Sequence, residues 1–118
     1  MKLKEVREIL SAQVIVEGVE DLELISGCGA DLMSDVLAFS KENTVLLTGL
    51  TNPQVIRTAE MTDLSLIVFV RGKQPPVETI ELAKDRGIPL MKTDKPLYQA
   101  CGLLYSAGLR AEKLAKLK

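Results

Sequence analysis

Two uncharged runs, Thr44–Thr48 and residues 64–70, are built almost wholly from apolar and β-branched residues, with helix-spaced residues between them. A charge-free run of this kind suits a strand covered on both faces, which happens where helices pack on each side of a parallel sheet. The alternation of strand-like and helix-like segments recurs along the chain at intervals of roughly 20 residues, the pattern of βαβ units. It predicts an α/β fold: a single domain over residues 1–118, with a largely parallel sheet and flanking helices.

The other elements follow from periodicity. Leu3, Val6, Ile9 and Leu10 predict an amphipathic helix over residues 2–11. Val14, Ile15 and Val16 form a strand, and Leu22 to Ile25 a second one that stops at Ser26-Gly27-Cys28-Gly29. A helix follows from Ala30, with Leu32, Val36 and Phe39 on one face, Met33 and Leu37 beside them, and Asp31 and Asp35 in its dipole-favoured first turns. Thr51 or Asn52 can cap the next helix; Pro53 fits its first turn, and Gln54 stands three after Thr51 as a capping box requires. Its buried face is Val55, Ile56 and Ala59.

Val77, Ile80 and Ala83 mark a helix ending at Gly87, and Pro89 makes the following short strand an edge or a strand start. Asp94 is expected to cap the last helix, whose stripe is Leu97, Ala100, Cys101, Leu104 and Tyr105. Residues 110–118 read as a basic, frayed helical tail.

Composition removes much chemistry. With no histidine, a Ser-His-Asp triad, a Cys-His pair and a histidine-ligated metal are excluded. Cys28 and Cys101 are 73 positions apart without CxxC spacing and read as reduced, wholly or partly buried thiols. The net charge of -1 and 3% aromatic content argue against a nucleic-acid binder. No apolar run approaches membrane-spanning length and the N-terminus is charged, so a cytoplasmic protein is expected. Gly27-Cys28-Gly29-Ala30-Asp31-Leu32 lacks the third glycine of a dinucleotide fingerprint, and Gly72-Lys73 is followed by Gln74 and Pro75 rather than by the hydroxyl of a P-loop. Neither cofactor nor metal is expected.

In an open parallel sheet, ligands bind beyond the carboxyl ends of the strands. That edge collects Gly27 to Gly29, Thr48, Gly49, Leu50, Thr51 and Asn52, then Arg71, Gly72 and Lys73, and finally Lys92, Thr93, Asp94 and Lys95. The set is small, polar and net basic, suited to an anion such as a phosphate or nucleotide. Thr48, Gly49, Thr51, Asn52, Arg71, Gly72, Lys73 and Thr93 are the candidate ligand-binding residues. Caps and turns of any α/β domain use the same residue types. Cys28, Asp31 and Lys73 are the groups a small enzyme could use at this edge.

The block from Gly27 to Leu37, with Val45-Leu46-Leu47-Thr48-Gly49, Leu66 to Gly72, Gly87 to Met91 and Thr93, resembles the DRTGG domain family over about residues 1–110. The layout is also similar to the N-terminal domains of HPr kinase/phosphorylase and of Mur ligases. The family's signature is replaced by Thr48-Gly49-Leu50-Thr51-Asn52, and its glycine pair is reduced to Arg71-Gly72. The resemblance implies a non-catalytic regulatory module that forms homodimers and senses a ligand. Stand-alone relatives encoded near iron hydrogenases imply, as an alternative, a structural partner of a redox enzyme; a phosphotransfer accessory is a further one.

Overall fold

The computed structural model describes residues 1–39 and 42–111. One six-stranded sheet runs in the order β1-β5-β4-β3-β2-β6, with β1 at Gln13–Val16, β2 at Ser26–Gly29, β3 at Thr44–Thr48, β4 at Leu66–Phe69, β5 at Leu90–Lys92 and β6 at Arg110–Ala111. Strand β1 is antiparallel to β5, and the other pairings are parallel.

Helices α2 (Met33–Phe39), α3 (Pro53–Thr62) and α4 (Val77–Arg86) link β2 through β5, each moving the chain one strand along. They cover one face, where Val36, Val55, Ile56, Ala59 and Ala83 pack with Cys28, Leu46, Ile67, Phe69 and Leu90. Helices α1 (Leu3–Leu10) and α5 (Leu97–Ser106) cover the other, where Leu3, Val6, Leu10, Ala100 and Leu104 meet Val45, Leu47, Leu66, Val68 and Met91. The two sets alternate along β3 and β4, as strand geometry demands. Strands β3 and β4 are therefore buried on both faces, the three-layer arrangement expected from the sequence.

The structure corrects several local expectations. The second strand is Ser26–Gly29, the segment expected to end it. Residues 22–24 instead bond to the start of the chain: the Leu3 amide donates to the Leu22 carbonyl and the Leu24 amide to that of Met1. Gly27 and Gly29 face α5, and a Cβ on Gly29 would lie 2.5 Å from the Cys101 sulfur. A strand with glycine there lets the helix sit directly on its backbone.

Helix α2 begins at Met33 rather than Ala30 and buries Met33 and Val36, while Leu32 and Leu37 are exposed; the side chain of Phe39 lies outside the described residues. Asn52, not Thr51, caps α3, its side chain accepting from the Gln54 amide, so the expected box with Gln54 does not form. Pro96 rather than Asp94 stands at the N-cap of α5. Tyr105 and Val77 are exposed, leaving narrower buried stripes on α5 and α4. Pro89 precedes β5, which lies between β1 and β4 and not at an edge.

The expected helical tail is corrected at its start. Arg110–Ala111 pairs in parallel with Ser26 and Gly27, because the left turn at Gly108 (φ 110°) swings the chain back beside β2. The rest of that tail lies outside the described residues.

Candidate functional site

Adjacent strands β4 and β5 send their helices to opposite faces of the sheet, α4 to one and α5 to the other. In open α/β sheets, ligands bind at the carboxyl ends of two strands that diverge in this way. The loops leaving them are Arg71-Gly72-Lys73 and Thr93-Asp94-Lys95, which hydrogen bonds hold side by side. The Arg71 amide donates to the Lys95 carbonyl at 2.9 Å, the Gly72 amide to the Thr93 carbonyl at 2.8 Å, and the Thr93 amide to the Phe69 carbonyl at 2.9 Å.

Arg71 and Gly72 both take left-handed backbone angles, φ 57° and 65°. Glycine adopts this region freely, but for arginine it costs roughly 1 kcal/mol. A Cβ on Gly72 would stand 3.0 Å from Asp94 Oδ1, so the Asp94 carboxylate packs against the glycine backbone. Arg71 and Lys73 follow β4, Lys92 ends β5 and Lys95 follows it, with Asp94 as the single carboxylate of the two loops; Lys92 donates to Gln74 Oε1 at 2.9 Å. The rim is net basic and can attract an anion.

Thr93 is buried and supports the β5 loop from beneath: its hydroxyl donates to the Leu10 carbonyl at 2.8 Å, fixing the β5 end to α1.

The β3–α3 part of the expected site lies two strands away from β5 and is internally satisfied. Asp31 Oδ1 accepts the Thr48 hydroxyl at 3.0 Å and the Gly49 amide at 2.7 Å. Thr48 Oγ1 in turn accepts the Leu50 amide at 3.1 Å, and the Thr51 carbonyl receives the Thr79 hydroxyl at 2.7 Å. At the start of α3, Pro53 has no donor, and the Gln54 and Val55 amides bond to Asn52. The candidate residues thus fall into a tied loop holding Thr48, Gly49, Thr51 and Asn52, and a hydrogen-bonded pair of loops holding Arg71, Gly72, Lys73 and Thr93.

Cys28 is buried under α2 and α3, whereas Cys101 packs on the opposite face of the sheet. A sequence reading had no means of separating them by a sheet. It also missed a groove of about 660 Å³ between α5 and the β2–β6 edge, lined by Gly27, Gly29, Tyr98, Gly102, Tyr105 and Leu109 among others. The signal was present in glycines 27 and 29, which let Cys101 and Leu109 approach the strand backbone along the floor of this groove. Among the described residues, no group of three or more His, Cys, Asp or Glu is placed to hold a metal ion, and no helix is long and apolar enough to cross a membrane.

These features define a three-layer α/β domain with an open, mostly parallel sheet and two net basic loops held side by side at its switch point. Its fold is similar to that of the CBS and DRTGG domains of the regulatory region of Clostridium perfringens pyrophosphatase, solved in complex with the activator diadenosine tetraphosphate. The TM-score is 0.70 at 19% sequence identity, over 99% of this chain and 52% of that one. The chain therefore spans about half the length of that regulatory region, and the likeness is one of fold. No family model and no curated protein matches the sequence.

Proposed function

We propose that this chain is a non-catalytic, homodimerising regulatory domain that senses a small anionic metabolite or nucleotide between the β4 and β5 loops. The observation that carries this reading is the pair of backbone hydrogen bonds, Arg71 amide to Lys95 carbonyl and Gly72 amide to Thr93 carbonyl, that holds two net basic loops side by side at a topological switch point. Arg71 and Lys73 supply charge, the Arg71 amide–Lys95 carbonyl bond sets the two loops side by side, and Thr93 keeps the β5 loop in place. Backbone strain at Arg71 fits a residue held for binding rather than for stability. The regulatory role is supported by the fold shared with a pyrophosphatase region whose structure contains a nucleotide activator.

Ligand binding to the native state raises stability by mass action, about 2.7 kcal/mol at a hundredfold excess over Kd. A panel of nucleotides and phosphorylated metabolites is expected to contain members that raise the melting temperature of the wild type. The same members should leave an Arg71→Ala, Lys73→Ala double variant unmoved. A panel without effect on the wild type overturns the ligand-sensing reading.

A further inference from the structure

We infer that the outer face of α5 is the surface through which two copies of this chain associate; this deepens the homodimeric reading above and rests on it. Helix α5, with the sequence LYQACGLLYS, carries no charged residue, whereas each of α1 to α4 carries at least one. Depletion of charge and enrichment in tyrosine mark the centre of a protein interface. The chain has only two tyrosines and no tryptophan, and both tyrosines stand on this helix, 93% and 64% exposed at Tyr98 and Tyr105.

Gly102 lies four residues after Tyr98 and three before Tyr105, so the three share one helix face. A glycine inside a helix is unfavourable, and nothing among the described residues requires one here: a Cβ at Gly102 would have no neighbour within 4 Å. The result is an open notch between two aromatic side chains. Beside it runs the groove of about 660 Å³ floored by Gly27 and Gly29, with room for an aromatic side chain from outside.

A second copy is the occupant that suits this face. Helix α5 itself has no charge for an oppositely charged partner to match, and a like copy of the helix meets it without repulsion; Arg110, on β6, is the one charged residue lining the groove among the described residues. A two-fold axis near Gly102 sets notch against notch, the self-complementary arrangement that an isologous dimer needs. The exposed parts of the two tyrosines supply roughly 300 Å² per protomer. The smallest stable interfaces need about 600 Å² per partner, and Gln99, Leu103, Ser106 and the lips of the groove border the tyrosines to supply the remainder.

The test is solution mass by light scattering over a micromolar concentration series, with circular dichroism as the check on folding. The wild type is expected at twice 12.9 kDa, and Gly102→Glu at 12.9 kDa with an unchanged spectrum. Tyr98→Arg, at a position with almost full exposure, serves as a second variant should Gly102→Glu fail to fold. Val77→Glu, on the exposed side of α4, should keep the double mass. A wild type at the single mass throughout overturns both the dimer and the surface. A dimer that survives the α5 variants, or one that Val77→Glu also dissociates, overturns the surface and leaves the dimer reading standing.

Discussion

Asp31 Oδ1 accepts the Thr48 hydroxyl at 3.0 Å, joining the carboxyl ends of neighbouring strands β2 and β3. The same oxygen receives the Gly49 amide at 2.7 Å, so one carboxylate organises the β3–α3 turn. Its removal leaves the buried Thr48 hydroxyl without its acceptor. Asp31→Ala is expected to lower stability by about 1–2 kcal/mol, and Asp31→Asn by less, because the amide oxygen still accepts. Urea denaturation midpoints measure both, and equal losses would show that the acceptor is not what matters.

Gly29 and Cys101 form the closest approach between α5 and the sheet. Gly29→Ala forces a methyl group to within 2.5 Å of the sulfur, and overpacking of this kind costs about 1–3 kcal/mol. Adding Cys101→Ala should recover part of that loss, a positive coupling in a double-mutant cycle. Strict additivity would mean that the sulfur is not the obstacle.

Thr58, on the buried side of α3, has a hydroxyl without a hydrogen-bond partner among the described residues. Thr58→Val keeps the shape and removes an unsatisfied polar group, so stability should rise by about 1 kcal/mol. Thermal unfolding should show a rise of several degrees, and a fall would contradict the buried, unpartnered hydroxyl.

The two thiols should differ in reactivity. Cys28 is 5% exposed beneath α2 and α3, and Cys101 is half-buried on the other face. A thiol reagent under native conditions is expected to label Cys101 first, read by mass spectrometry of proteolytic fragments. Faster labelling of Cys28 would contradict the packing of α2. An intramolecular disulfide is not expected, since a bridge would have to cross the sheet.

How much of this was legible in the letters depended on where the defining forces lie. Strands β3 and β4 and helix α3 could be read directly, because their apolar density and the Asn52-Pro53 start are local signals. Strand β2 could not: Ser26-Gly27-Cys28-Gly29 looks like a turn until α5 is packed against it, and only then does glycine become a requirement. Strand β6 is two exposed residues made a strand by pairing with Ser26 and Gly27. The basic loops after β4 and β5 were placed correctly at the carboxyl edge by strand order alone. The ties of Thr48 to Asp31 and of Thr93 to Leu10 span 17 and 83 positions, and no local pattern announces them.

Binding of an anion between the β4 and β5 loops can be tested at Arg71. Arg71→Gly offers a clean separation, since glycine relieves the left-handed strain while raising unfolded-chain entropy, and stability should stay within about 1 kcal/mol of the wild type. The most direct measurement is a titration of the isotope-labelled chain with a nucleoside triphosphate, followed through its backbone amide resonances, for the wild type and Arg71→Gly. Saturable shifts concentrated at Gly72, Lys73 and Lys95 are expected in the wild type, and their loss in the variant. Resonances that stay fixed at millimolar nucleotide, or that move only outside these loops, would contradict anion binding there.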